Sequence, residues 1–223
     1  MSSVPVIDCT RTHMFTHPHI PQPSEAQLRE YVLNNPFCHL ITASPEAGMH
    51  CTALTVIPER TGEELVLLGH LAMRNEHSGA LSHAATGLLL FAGPQAYVSP
   101  RWYRERPDAP TWNYIAVQAR GTLETIDDPE GIERILRETV NYMERDQATP
   151  WQMDTLPVEL STRLKKAVRG FRFRVTRLQG TFKLSQNKGE IDRSSVIMGL
   201  MAGGNLENTQ IAQLMAEQFG HQA

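Results

Sequence analysis

Histidine and asparagine residues at the end of one apolar run could serve a cofactor. The run ELVLLGHLA (64–72) contains Gly69-His70 near its end, and Asn75 and His77 follow it. A histidine that ends a strand can ligate a metal or haem iron, contact a cofactor, or cap the mouth of a barrel. Taken alone, these residues favour the structural role.

A second segment, 97–114, is rich in aromatic and polar side chains: Tyr97, Ser99, Trp102, Tyr103, Trp112, Asn113 and Tyr114. Planar rings beside hydroxyl and amide groups suit a flat aromatic ligand. The same side chains could instead fix a loop by packing on one another, or form a dimer interface rich in Trp and Tyr. Both interpretations stay open.

The third segment ends a predicted strand in a cationic, polar turn, Phe182 to Asn187. Lys183, Ser185 and Gln186, together with backbone amides, could hold a phosphate or carboxylate. The alternative is an ordinary solvated strand end, which is the better interpretation of this segment by itself.

Other clusters of charged or ligating residues are weaker candidates for a functional site. The stretch 163–177 is strongly basic and could contact phosphates, although such runs are more often solvated faces. His13, His17 and His19 have no carboxylate or thiol at ligand spacing, so we assign them to an N-terminal arm. The three cysteines, Cys9, Cys38 and Cys51, predict neither a disulfide framework nor a zinc site.

Composition excludes several classes of protein. The 223 residues include 21 basic and 24 acidic side chains, which gives a net charge of −3. A dedicated nucleic-acid binder would instead need a positive electrostatic field. A hydrophobic share of 41% is enough for a packed core. No apolar run approaches the roughly 20 residues of a membrane span, and the N-terminus lacks a signal-peptide core. We expect a soluble, cytoplasmic protein.

Short β-rich runs must position these groups. Strands are predicted at 37–43, 49–57, 64–72, 87–93, 112–126 and 171–184, with a long loop at 99–112. Helices are predicted from Ser24 to Asn34, within 73–85, at 127–144, at 157–168, and in a tail broken at Gly203-Gly204. The absence of a βαβ rhythm favours a mainly β (α+β) fold, an antiparallel barrel with peripheral helices.

Four motifs in order resemble the PaiB family of FMN-binding split-barrel proteins, which often carry the label of negative transcriptional regulators. They are GHLAMRN (69–75), GPQAYVSPRWY (93–103), PTWNYIAV (110–117) and FKLSQNK (182–188). The resemblance runs from about Met14 to about Leu200. It implies a split barrel over 24–188 between an arm (1–23) and a C-terminal helical segment (189–223), and a homodimer with a flat cofactor at its interface.

The resemblance implies roles for individual residues. Under FMN, Lys183, Ser185 and Arg74 would hold the phosphate while Trp112, Asn113 and Tyr97 line the ring. Piperazate synthases, a similar branch of the family, carry haem b and form an N–N bond, and their axial histidine matches His70. The expected cofactor is therefore FMN or haem b, with His70 as the iron ligand in the second case.

The sequence departs from the family pattern at four places. Ala53 and Gln118 stand where family members carry histidine, Met73 where they carry arginine, and Ser78 where they carry an aromatic residue. These losses weaken the expectation of ordinary FMN binding and leave His70 as the clear iron ligand. His39 and His50, on neighbouring strands, are further candidates for a distal group.

Three functions follow as hypotheses. The first is a cofactor-dependent redox enzyme or sensor acting on a small molecule, with haem-dependent N–N bond formation as an alternative. The second is a transcriptional regulator, which only the basic stretch 163–177 supports because no helix-turn-helix spacing is evident. The third is a barrel that has lost its cofactor and serves as an interaction module.

Overall fold

The computed structural model describes residues 14–15, 17–59, 64–105 and 107–220. Six strands are β1 (Phe37–Ser44), β2 (Gly48–Pro58), β3 (Val66–Ala72), β4 (Thr86–Val98), β5 (Thr111–Ile126) and β6 (Val168–Lys183). Six helices are α1 (Glu25–Asn34), α2 (Glu76–Ala80), α3 (Pro129–Glu144), α4 (Val158–Lys166), α5 (Glu190–Ala202) and α6 (Leu206–Phe219).

The strands close into a barrel in the order β1-β2-β3-β6-β5-β4. Antiparallel pairing joins β1 to β2 and β4, and β3 to β2 and β6. The β1–β2 hairpin turns tightly between Ser44 and Gly48, whose φ of +76° is a left-handed conformation that glycine adopts without strain. The predicted antiparallel barrel with helical additions is confirmed.

A close approach between β3 and β6 requires one further glycine. Gly69 pairs with Phe171 in the register, and a Cβ at Gly69 would overlap the Phe171 ring. Phe171 and Phe173 are both fully buried. The ring of Phe171 therefore occupies the space that a side chain at position 69 would need.

Helix ends follow the capping rules. Ser24 and Gln27 exchange hydrogen bonds, with Ser24 N donating to Gln27 Oε1 (2.9 Å) and Gln27 N donating to Ser24 Oγ (3.3 Å), which is a capping box at the start of α1. Asp128 accepts from Gly131 N at 2.7 Å and starts α3. Ile135 of α3 then packs with Leu68 of β3 in a buried cluster.

The chain divides into two compact units. The first unit comprises, among the described residues, Arg29–Phe91 and Gln118–Leu178; the second comprises Met14–Leu28, Ala92–Val117 and the residues from Gln179 onward. In the second unit, α5 and α6 form a helix pair that is interrupted at Gly203-Gly204, as predicted, and shares a buried apolar cluster with Val98 and Leu184. The predicted domain limits stay a prediction.

Two strands extend furthest beyond their predicted limits. Strand β4, predicted over 87–93, continues to Val98, so Tyr97 lies in a strand. Strand β6, predicted from residue 171, begins at Val168. Exposed and buried residues alternate from Gln95 to Val98, but Gly93-Pro94 interrupts the strand pattern in the sequence just before them.

In the described part of the chain, no helix is both long and apolar enough to cross a bilayer.

Candidate functional site

The second unit contains a polar cavity of about 170 Å³, which we call the lysine cavity. It is lined by His17, Tyr103, Asp108, Ala109, Pro110, Thr111, Asn113, Lys183, Ser185, Asn187 and Lys188. Predicted site residues Asn113, Lys183 and Ser185 therefore come together here. His17, which the sequence assigned to the arm, lies on the same wall.

Lys183 has an ammonium group held by the start of β5. Its Nζ donates to the hydroxyl of Thr111 and to the carbonyl oxygen of Trp112 (2.7 Å). Burial, and secondly the charge of Lys188, lowers the pKa of Lys183. Because an ammonium has three donors, one donor remains for an anion in the cavity.

Asn113 and Ser185 fix the floor of the cavity. Asn113 Nδ2 donates to Ser185 Oγ at 2.9 Å and lies 3.3 Å from Met215 Sδ on α6, and Ser185 Oγ lies 3.2 Å from Asn113 Oδ1. Both side chains are buried, and Ser185 has a φ of +63°. Asn113 was predicted to line a flavin ring, but its amide is engaged with Ser185 and Met215.

Gln186 closes the turn beside the cavity without lining it. Its Oε1 accepts from Leu184 N at 2.7 Å, and its Nε2 donates to the carbonyl oxygen of Phe182. The side chain thus replaces backbone partners in the turn after β6.

Lys188 is a cavity residue that sequence reasoning missed. Its Nζ pairs with the carboxylate of Asp108 and lies 4.5 Å from the centre of the Tyr103 ring. Only 12% of the Lys188 side chain is exposed, so its charge is largely removed from water. The available signal was its place as the last residue of the FKLSQNK motif.

The loop between β4 and β5 is held by α5. Asp192 Oδ1 accepts from the backbone N–H groups of Arg104 (2.6 Å) and Glu105 (3.1 Å). Trp102 packs against Gly199, where a Cβ would overlap the indole. Ser99 accepts from Arg101 N at 3.3 Å and caps a short turn. Trp102 and Ser99, predicted to contact a cofactor, hold the loop in place.

Tyr97 and Trp112 form an exposed aromatic pair. Their ring centres are 6.1 Å apart at an interplanar angle of 68°, and the residues are 46% and 51% exposed. Trp112 alternates along β5 with buried Asn113, so its ring lies on the strand face opposite to Asn113. The aromatic pair and the floor of the lysine cavity are therefore on different faces of β5.

His70 lies on β3 in the first unit. It is opposite Gly170, over which the side chains of Ile132 and Ile135 pack. Burial lowers the pKa of His70, and its Nδ1 is a buried atom with no hydrogen-bond partner in the described residues. A neutral imidazole with a free nitrogen is the state required of a metal ligand.

Asn75 and His77 belong to a buried polar network in the first unit. Asn75 caps α2 by accepting from His77 N (3.0 Å), and its Nδ2 donates to Thr52 (3.2 Å). The ring nitrogens of His77 lie 2.9 Å from the hydroxyls of Thr42 and Thr52. Burial, and secondly the neighbouring His50 ring stacked at 5.2 Å, lowers the pKa of His77 to about 4.

The positions where the chain departs from the family pattern are also defined. Ala53 is exposed on β2 opposite His39 of β1. Gln118 accepts from Arg120 at 3.2 Å, and buried Ser78 lies 3.8 Å from the sulfur of Met73. Within the described residues, no group of three or more His, Cys, Asp or Glu side chains could hold a metal ion.

The lysine cavity fits the phosphate group of a cofactor. Its lining contains two lysines, three hydroxyl groups and the amide of Asn187, beside the carboxylate of Asp108. Ammonium, hydroxyl and amide groups donate to phosphate oxygens. The volume lies below the 300–1,000 Å³ of typical small-molecule pockets, so it admits a phosphate-sized group and not a whole cofactor.

Comparisons with known proteins agree with this architecture. A family model described as "Putative FMN-binding domain" matches residues 14–177. An uncharacterized protein of Emericella nidulans is 32% identical, over 87% of this chain and 94% of its own. The protease synthase and sporulation protein PAI 2 of Bacillus subtilis is 29% identical, over 88% of this chain and 93% of its own.

Two solved structures share the fold at low sequence identity. The flavocytochrome Anf3 of Azotobacter vinelandii aligns with a TM-score of 0.53 at 14% identity, over 77% of this chain and 73% of that one. The FAD and haem binding protein of Mycobacterium smegmatis aligns with a TM-score of 0.55 at 11% identity, and the alignment covers 82% of this chain and 80% of that one. The chain therefore belongs to the FMN-binding-domain family that matches residues 14–177, the PaiB family of split-barrel proteins that its motifs predict.

Proposed function

We propose that this protein binds FMN as a redox cofactor and places the cofactor's phosphate in the lysine cavity. The observation that carries the proposal is the convergence of Lys183 and Lys188 with the Ser185 hydroxyl in one small polar cavity. Asp108 is the one carboxylate in the lining and pairs with Lys188, so a flavin phosphate supplies the further negative charge that Lys183 faces. Family membership supports flavin over other phosphorylated ligands.

The residues of this chain would bind and orient the cofactor. Lys183 and Lys188 would donate to phosphate oxygens, and the Asn113–Ser185 pair would hold the cavity floor rigid. When bound, FMN supplies reversible one- and two-electron transfer. The chain's contribution is charge, position and exclusion of water around the phosphate.

The flavin ring must lie outside the lysine cavity, because the cavity is too small for it. We propose that the exposed pair Tyr97 and Trp112 forms part of a homodimer surface against which the ring lies. Large aromatic side chains that are about half exposed are enriched at such interfaces. This arrangement accounts for their position on the strand face opposite to Asn113.

A phosphate-dependence experiment tests the proposal. The apo-protein is titrated with FMN and with riboflavin, which lacks the phosphate, while flavin fluorescence is followed. We expect FMN to bind at least tenfold more tightly than riboflavin, and Lys183→Gln to remove that preference, because a charge-assisted hydrogen bond is worth about 1.5–3 kcal/mol. Lys165→Gln is the matched control, since Lys165 pairs with Glu133 in the first unit. Equal affinities for FMN and riboflavin would refute the phosphate assignment.

Haem b is the second candidate cofactor, and His70 is the observation that favours it. Its buried, unpartnered Nδ1 and lowered pKa suit an iron ligand. Hemin titration followed at the Soret band tests this, with His83→Ala, at an exposed histidine outside both proposed cofactor sites, as the control. A His70→Ala variant that keeps the full wild-type haem spectrum rejects His70 as the ligand.

A further inference from the structure

Most cations of the basic stretch 163–177 are neutralised within the first unit. The pairs are Lys165–Glu133 (2.7 Å), Arg169–Asp127 (2.6 Å), Arg172–Glu59 (2.8 Å) and Arg174–Glu64. Such pairing leaves little charge for a phosphate backbone. Arg163 and Lys166 differ from these four, because in the described part of the chain they form no ion pair.

Both exceptions line one cavity together with a third cation. The cavity, of about 710 Å³, lies between the end of β3 and α4 and is lined by Ala72, Met73, Arg74, Glu159, Thr162, Arg163, Leu164, Lys166 and Ala167. Arg74 likewise has no ion pair among the described residues. The cavity therefore carries three cations and one carboxylate, on a chain whose net charge is −3.

The three cations meet at the end of α4. Arg163 and Lys166 lie in the last turn of this helix, where cations are favourable next to the carbonyl groups. Arg74 belongs to the turn after β3. Met73 N donates to the carbonyl oxygen of Ala167 at 2.8 Å, so the backbone brings Arg74 to the same helix end.

The lining is apolar between its charges. Met73 and Leu164 are 47% and 42% exposed, and Ala72 and Ala167 lie beside them. Cations around an apolar floor match a ligand with an anionic head and a hydrocarbon body. The volume is within the range of small-molecule pockets.

We propose that this cavity binds an amphipathic organic anion, a small molecule with a phosphate or carboxylate head and an apolar body, at a site separate from the lysine cavity. Arg74, Arg163 and Lys166 contact the head, and Met73 and Leu164 contact the body. Concavity favours such a small molecule over duplex DNA, whose rigid backbone would meet only the rim.

Octyl phosphate is the probe, titrated calorimetrically into the full chain beside inorganic phosphate and octanol. We expect saturable binding of one octyl phosphate per chain, and at least tenfold weaker binding of either control, because each lacks half of the recognised chemistry. Arg163→Gln and Lys166→Gln should each weaken octyl phosphate about tenfold. Arg101→Gln, which removes another exposed cation without an ion pair in the described residues, should leave it unchanged.

Further titrations separate this proposal from FMN binding and from DNA binding. Arg163→Gln should leave the affinity for FMN unchanged, and Lys183→Gln should leave the affinity for octyl phosphate unchanged. Competition between FMN and octyl phosphate, with both weakened in Arg163→Gln, overturns the proposal because the cavity would then be part of the FMN site. The absence of saturable octyl phosphate binding also overturns the proposal. If a 20-base-pair DNA duplex then binds in an Arg163-dependent manner, the cations serve DNA binding instead.

Discussion

Asn113 Nδ2 and Ser185 Oγ lie 2.9 Å apart, although 72 residues separate them in sequence. This buried bond joins the start of β5 to the turn after β6, and Met215 of α6 lies behind it. It fixes Ser185 at a φ of +63°, a conformation that non-glycine residues rarely adopt. The lysine cavity therefore depends on a local conformation whose cost the hydrogen bond offsets.

Substitutions at Ser185 should separate the hydrogen bond from the backbone strain. Ser185→Ala loses the bond and keeps the left-handed backbone, so we expect a loss of about 1–3 kcal/mol in the free energy of unfolding. Ser185→Gly loses the same bond but relieves about 1 kcal/mol of backbone strain. Urea denaturation should find the glycine variant more stable than the alanine variant. The reverse order would show that the positive φ costs less than the flexibility that glycine adds to the unfolded chain.

Acid should destabilise the protein through His77. Because its folded-state pKa of about 4 lies below the ordinary value of 6.5, the unfolded chain binds a proton that the folded chain rejects. The contribution of neutral His77 to the free energy of unfolding is full above pH 6.5 and is lost as the pH falls from 6.5 toward 4. Denaturation midpoints measured across this range should fall less steeply in His77→Gln. A slope in His77→Gln equal to that of the wild type would show that His77 does not cause the acid sensitivity.

The sequence predicted the barrel from local signals in its strands and helix ends. Alternation of apolar and polar residues marks β6, the N-cap residue Ser24 marks the start of α1, and Gly203-Gly204 marks the break between α5 and α6. It predicted Lys183, Ser185 and Asn113 as site residues, and the structure brings them together.

The remaining site residues depend on tertiary contacts that local patterns do not encode. Lys188 reaches the cavity because Asp108, 80 residues away, pairs with it. Trp102 and Gln186 are residue types that often contact ligands. Trp102 instead packs on Gly199, and Gln186 forms hydrogen bonds within the turn after β6. Strand faces also separate Trp112 from Asn113, although the two are adjacent in sequence.

The buried ion pair of Glu59 should matter more than an exposed pair on the same strand. Glu59 is 7% exposed in its side chain and accepts from Arg172 (2.8 Å) and Arg134 (3.0 Å), and the hydrogen bond from Arg172 is the main cause of its lowered pKa. Arg172→Gln removes two charged hydrogen bonds and leaves Glu59 with Arg134 alone, so it should lower the free energy of unfolding by about 1.5–3 kcal/mol. Arg174→Gln, which breaks the exposed pair with Glu64, should cost under about 1 kcal/mol.

Asp192 should hold the loop between β4 and β5 through its charge. Its buried carboxylate accepts from the backbone N–H groups of Arg104 and Glu105, and Asp192→Asn keeps the shape while weakening both bonds. We expect a loss of about 1–3 kcal/mol in stability and faster amide hydrogen exchange at residues 104 and 105. FMN affinity should fall as well, because this loop carries Tyr103 and Asp108 of the lysine cavity. Asp154→Asn, on an exposed carboxylate that pairs with Arg137, is the matched control and should change neither the exchange nor the affinity. Unchanged exchange at 104 and 105 in Asp192→Asn would mean that packing of Trp102 on Gly199 alone holds the loop.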